Sequence, residues 1–213
     1  MPNRPNRPNR PNRGNGRSWR ILTVGTGGQG VLTASHLLSR FFVAQGHEVV
    51  SGQLHGMAQR GGSVQSSVMV DGGISPVIPE GKADFVLGLE PIECARALYF
   101  VSPRTRVFMN RAMVTPFVVA QDQIRGRDNG GPPNLAELED AILAVTDHYG
   151  AFDASALAEE AGSMRTLNMV MLGALFGSGS LPYAPEDFTD TIPISDENGR
   201  AFLSGVQFGR TTS

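Results

Sequence analysis

One cysteine, Cys94, is all the thiol chemistry that 213 residues offer. That excludes an internal disulfide framework, and any zinc or iron–sulfur centre built only from this chain's thiolates. Long apolar runs are missing as well. None approaches the roughly 18 residues a membrane span needs, and the amino terminus has no apolar segment of signal-peptide type. Charge is sparse, at 18% of residues with a net of −2, so the overall balance points neither to nucleic acid nor to an acidic lipid surface. A surface this poor in charge hints at cover by a partner. The lone thiol is compatible with a reducing cytoplasm, the expected location. What remains is an ordinary globular composition, 40% apolar, in a chain long enough for one sizeable domain. A domain of this length buries about 70% of its unfolded surface and needs no metal or disulfide staple.

The amino-terminal segment stands apart. Pro-Asn-Arg occurs four times over residues 2–13, and Gly-Asn-Gly follows. Proline at every third position blocks a helix, and no apolar side chain is there to bury, so residues 1–17 read as a disordered or polyproline-like tail. Its arginines suit an acidic partner, but a solvated extension is the simpler reading. The tail is therefore expected to be dispensable for folding, and residues 18–213 to form a single domain.

From Trp19 the pattern changes. Ile21–Val24 reads as a buried strand. A glycine loop follows, and 31–45 places Val31, Ala34, Leu37, Leu38, Phe41 and Phe42 at helical spacing, with Gly46 as its stop. Further strands are predicted over 48–51, 63–70, 83–89, 105–110 and 117–120, with turn chemistry at Asp71-Gly72-Gly73. Pro91 opens a helix to about Tyr99. After a loop at 128–133, Asn134 caps a helix reaching about Tyr149. Helices at 155–161 and 165–176 complete the series, and 201–208 suits a closing helix. Alternating strands and helices give an α/β, Rossmann-like fold, with a mostly parallel sheet, helices on both faces and a helical carboxyl-terminal part.

Two loops and one helix carry the candidate chemistry. Gly25-Thr26-Gly27-Gly28-Gln29-Gly30 has the GxGxxG spacing between a strand and a helix. Such glycines permit a tight turn and let backbone N–H groups approach an anion at the helix amino terminus. A dinucleotide site also wants an acid about 20 residues on, ending the second strand, to hold the ribose. Here that place reads Val49-Val50-Ser51-Gly52-Gln53, with Glu48 at the wrong end and no arginine for a 2′-phosphate. The second loop, His55-Gly56-Met57-Ala58-Gln59-Arg60-Gly61-Gly62-Ser63, is too polar and glycine-dense to be core. It can present Arg60, His55 and backbone N–H groups to an anion; the alternative is a solvated surface turn. Asn168 lies in an apolar helix, either as a satisfied core amide or as a ligand contact. The histidines at 36, 47, 55 and 148 have no metal-like spacing, and no Ser/His/Asp set can be assembled.

Taken together, the segments 25–32, 55–64 and 168–174 resemble the gamma-type domain of the 2-oxoacid:ferredoxin oxidoreductases, in the stand-alone form of indolepyruvate ferredoxin oxidoreductase beta subunits. The order and approximate spacing agree over about 20–187, and the second loop is the most specific of the three motifs. The resemblance implies an accessory subunit with no activity alone. Its complex would oxidatively decarboxylate an aryl pyruvate with coenzyme A, giving an aryl acetyl-CoA and carbon dioxide and reducing ferredoxin. Thiamine diphosphate and iron–sulfur clusters are then expected on the large alpha subunit. This fits a chain with one cysteine and no Gly-Asp-Gly thiamine motif. The expected partners are that alpha subunit and, through the complex, ferredoxin, with no nucleic acid and no membrane. The residues expected to face the cofactor or coenzyme are Gly27, Gly28, Gln29, Gly30, His55, Gln59, Arg60, Gly61, Ser63 and Asn168. The alternatives are a free-standing NAD(P)-binding reductase and a non-catalytic nucleotide- or CoA-binding module. The tail and the region after Pro182 depart from the family pattern, and the identity of the 2-oxoacid stays open.

Overall fold

The computed structural model describes residues 18–55, 62–113 and 134–212, apart from the side chain of His55. The tail, the strand expected at 117–120, the loop at 128–133 and most of the second loop lie outside the described residues. Along the chain come β1 (Trp19–Thr26), α1 (Val31–Ala44), β2 (Val49–His55), β3 (Ser63–Val70) and β4 (Phe85–Gly88). Next are α2 (Pro91–Arg96) with a 3-10 turn at Ala97–Phe100, β5 (Arg106–Asn110), α3 (Leu135–Leu143) and β6 (Tyr149–Phe152). The final part is helical: α4 (Ala154–Ala161), a 3-10 turn at Met164–Thr166, α5 (Leu167–Gly177), α6 (Pro185–Thr191) and α7 (Asp196–Thr211).

The strands form one sheet in the order β2-β3-β1-β4-β5-β6. Among the described strands only β3 runs against the rest, since it is antiparallel to both neighbours while β1, β4, β5 and β6 pair in parallel. The period-2 alternation of β1 sends Ile21 to one face and Leu22 to the other. On the first face Ile21 joins Leu38, Phe41, Val68, Leu87 and Phe108 under α1 and the carboxyl-terminal helices. On the second, Leu22 joins Val86, Cys94, Val107, Met109 and Ile142 under α2 and α3. Both faces of the sheet are covered, as the α/β pattern requires.

Strand β2 runs on from the expected 48–51 to His55, so His55 ends a strand rather than opening the loop, and two further segments differ from the sequence-based expectation. The helix opened by Asn134 stops at Leu143 rather than near Tyr149, and 149–152 is a strand. The amides of Val145 and Thr146 both turn back to the Ile142 carbonyl, at 2.9 and 3.0 Å, and the Thr146 hydroxyl donates to the Thr105 carbonyl at 2.8 Å. The chain is thereby pinned to the foot of β5 and continues as β6. Phe152 then stacks on Phe208 of α7 at 3.8 Å. Helix α6 was not foreseen. Its seven residues carry only Phe188 as an apolar anchor, which stacks on Phe202 with ring centroids 4.9 Å apart.

Helices α5 and α7 approach unusually closely. A Cβ added at Gly173 would overlap the Phe202 carbonyl oxygen, and one at Gly205 the Val170 carbonyl oxygen. Gly177 and Gly209 repeat the arrangement one turn on, against Val206 and Ala174. Backbone packs on backbone here, which only glycine allows. Helix α5 is buried all round, Asn168 included.

Candidate functional site

The chain passes from β1 to β2 and β3 on one side of the sheet, then crosses back to β4, β5 and β6 on the other. The order therefore reverses at the carboxyl ends of β1 and β4, where open α/β sheets place their ligands. The glycine turn lies there. Gly28 and Gly30 take positive φ values of 105° and 84°, in a region that L side chains rarely occupy. Among the described residues nothing lies within 4 Å of a Cβ built on Gly28. Gly30 is the N-cap of α1 and supplies no side-chain acceptor. Among the described residues the amides of Val31, Leu32 and Thr33 make no hydrogen bond. Three aligned donors at the positive end of a fourteen-residue helix suit an anion.

Gln29 shapes the turn from within. Its Oε1 accepts from the Thr26 amide at 2.8 Å and its Nε2 donates to the Leu89 carbonyl at 3.2 Å. The same carbonyl accepts from Asn110 Nδ2 at 3.0 Å, and Asn110 also donates to Ser155 Oγ at 2.9 Å. One network thus ties the tops of β1, β4 and β5 to α4. The Asn168 amide lies over Gly30, with Nδ2 3.1 Å from where a Cβ would stand there. Its Oδ1 accepts from the Met169 amide at 3.0 Å. Asn168 is only 4% exposed, and Nδ2 makes no hydrogen bond among the described residues.

The second loop leaves the sheet at the end of β2 and re-enters it beside this turn. His55 ends β2 in register with Val64, and Ser63 begins β3 in register with Thr26. The Gly27 amide donates to the Gly62 carbonyl at 2.9 Å, joining the two loops directly. Ser63 Oγ donates to the buried Glu93 carboxylate at 2.5 Å. Of the residues singled out in sequence, Gly27, Gly28, Gln29, Gly30, Ser63, Asn168 and the backbone of His55 come together at this end of the sheet. Gln59, Arg60 and Gly61 lie outside the described residues. Sequence reasoning missed Glu93, Asn110 and Ser155. Glu93 reads in sequence only as an acid in the first turn of a helix, and nothing local shows that it reaches to β3.

Strand β3 also bears on the dinucleotide reading. In that reading the second strand adjoins the first, and its end carries the ribose acid. Here β3 lies between them, which sets β2 off from β1 by two strand spacings, roughly 10 Å. Cys94 of α2 packs on β4, with Gly88 so close that a Cβ there would stand 2.5 Å from its Sγ. Burial, reinforced by Glu90, pushes its thiol from about 9 up to about 12. Between those values the unfolded chain loses the proton that the folded chain keeps, so stability falls as pH rises. Cys94→Ala should therefore lose less stability than the parent between about pH 9 and 12 in urea melts. Equal losses would mean that the thiol ionises freely. Among the described residues no group of three or more His, Cys, Asp or Glu could hold a metal ion, and no helix is long and apolar enough to cross a membrane.

The gamma subunit of a keto/oxoacid ferredoxin oxidoreductase from Geobacter sulfurreducens has the same fold. It superposes with a TM-score of 0.63 at 20% identity, covering 91% of this chain and 99% of that one. A 2-oxoglutarate:ferredoxin oxidoreductase from Magnetococcus marinus, solved with 2-oxoglutarate, coenzyme A and succinyl-CoA bound, contains the fold as part of a longer chain. Its TM-score is 0.63 at 17% identity, over 91% of this chain and 31% of that one. In sequence, the indolepyruvate oxidoreductase subunit IorB of Archaeoglobus fulgidus is 39% identical over 173 residues, 81% of this chain and 83% of its own length. The family model described as pyruvate ferredoxin/flavodoxin oxidoreductase matches residues 20–208, which span both loops, Asn168 and the interlocked helices. The chain belongs to that family.

Proposed function

We propose that this chain is the beta subunit of a thiamine-dependent 2-oxoacid:ferredoxin oxidoreductase acting on indolepyruvate or another aryl pyruvate. The observation that carries the reading is the 39% identity to an IorB subunit across most of both chains. In the reaction the 2-oxoacid loses carbon dioxide, its acyl group passes to the thiol of coenzyme A, and two electrons leave on ferredoxin. Thiamine diphosphate, which supplies the carbanion chemistry, and the iron–sulfur clusters belong to the large alpha subunit. A chain with one cysteine cannot ligate a cluster that needs four thiolates, and its one thiol is buried in the core.

This chain's own residues would then bind and orient. The uncapped amides at the start of α1 and the Nδ2 of Asn168, unbonded among the described residues, would supply donors for a phosphate of coenzyme A. Arg60 and His55 of the second loop would bring positive charge and further donors to the same anion. Gln29 would keep the turn open rather than bond the ligand, since both ends of its amide are engaged. A free-standing NAD(P) reductase is the weaker reading, because β3 separates β2 from the turn and no acid ends β2. A non-catalytic CoA-binding module would share the turn but need no large partner.

The purified chain is expected to be colourless and to decarboxylate no 2-oxoacid, with activity appearing when the large subunit is added. Iron-dependent visible absorbance in partner-free protein would sink this assignment. So would turnover by the lone chain, or a nicotinamide that co-purifies with it.

A further inference from the structure

The Glu93 side chain is 8% exposed. A buried carboxylate is unfavourable unless its oxygens are engaged, and here both are. Oε1 accepts from Arg96 at 2.7 Å, and Oε2 accepts from Ser63 Oγ at 2.5 Å. The Arg96 side chain is 65% exposed, which leaves that bond largely screened by water. The bond to Ser63, itself an exposed residue, is short and charge-assisted. It also joins elements that are distant in sequence, the first turn of α2 and the first residue of β3. An acid serving only the dipole of α2 would not need to reach across to another strand.

Ser63 is where the chain returns from the second loop. One residue earlier, the Gly62 carbonyl accepts from the Gly27 amide of the glycine turn at 2.9 Å. The backbone of Ser63 itself pairs with Thr26. Among the described residues, Glu93 is the only side chain that grips the side chain at this end of the loop. Glu90 steadies it in turn, accepting from the Glu93 amide at 2.9 Å.

We propose that Glu93 is a positioning residue. By holding Ser63 it fixes Gly62 and Ser63 against the glycine turn, and thereby sets how well the complex engages the anionic part of coenzyme A. This rests on the function proposed above.

The test uses the reconstituted two-subunit complex with Glu93→Ala, Glu93→Gln, Ser63→Ala and the Glu93→Ala/Ser63→Ala pair. The KM for coenzyme A should rise about five- to tenfold in Glu93→Ala and in Ser63→Ala, with kcat at saturating coenzyme A changed less than about twofold. The KM for the 2-oxoacid should not move. The pair should be no worse than the worse single variant, because both remove one contact. Glu93→Gln keeps an acceptor oxygen for Ser63 and should recover most of the affinity. Should Glu93→Ala fail to fold, Glu93→Gln and Ser63→Ala still decide: a normal KM in Ser63→Ala overturns the proposal. Additive effects in the pair overturn it as well, as does a lowered melting temperature with an unchanged KM for coenzyme A. Arg60→Ala separates the two levels of the argument. If it impairs the complex while the Glu93 variants do not, only the role of Glu93 falls. If the wild-type complex turns over without coenzyme A, the functional reading falls and this role with it.

Discussion

Gly205→Ala should lower the melting temperature by roughly 5–10 °C, from an overpacking penalty of about 2–3 kcal/mol in a domain of this size. Helix propensity alone gives the opposite sign, since alanine is favoured over glycine in a helix by about 0.8–1 kcal/mol. The overlap decides. The added methyl would fall on the carbonyl oxygen of Val170, and that oxygen belongs to the backbone of a fully packed helix and cannot swing aside. Gly199→Ala, in the same helix α7, is the internal control. Its added Cβ would find only Ile194 Cδ1, at 3.9 Å, so the propensity gain should appear unopposed. Thermal unfolding of the two variants side by side measures the difference. An unchanged or higher melting point for Gly205→Ala would mean that α5 and α7 can separate at little cost.

Arg60→Ala should reduce turnover of the reconstituted complex about ten- to a hundredfold, the loss of one charge-assisted bond worth roughly 1.5–3 kcal/mol. The expectation rests on the loop's composition and on the described ends of the loop. The returning end adjoins a turn whose amides are poised for an anion, and the leaving end is one strand further out. Folding should be little affected, as for an ordinary loop arginine. The rival role for Arg60 is to hold the subunits together. Steady-state kinetics together with co-purification of the large subunit separates the two. Normal turnover with the partner bound removes Arg60 from the site, and loss of the partner makes it an interface residue.

The elements most legible in sequence were those with a strong local signal. β3 has the predicted bounds, and α1 ends within one residue of them, because the helical spacing of Val31–Phe42 and the stop at Gly46 are local. β6 was not legible. Tyr149-Gly150-Ala151-Phe152 carries neither a long alternation nor β-branched residues, and it is a strand because β5 offers an edge and α7 covers it. Propensity yields there to tertiary context. The reversed direction of β3 was equally hidden, since a strand's own pattern does not say which neighbour it will join. At the candidate site the glycine turn and the second loop stood out as composition. Glu93, Asn110 and Ser155 did not, because their meaning arises only from contacts across 30, 21 and 45 residues of chain.

The interlocked glycines also constrain the order in which this protein can be made. Helix α5 has no polar side to turn to water, and the surface that covers much of it is α7, later in the chain. While the ribosome still holds residues 196–211 in its tunnel, α5 has been synthesised but cannot reach its native neighbour. The sheet from β1 to β6 can pair by then, yet the first face of the core stays uncovered. The nascent chain is therefore most in need of a chaperone between the emergence of α5 and that of α7, and a chain ending before Asp196 should partition to aggregates despite containing every described strand.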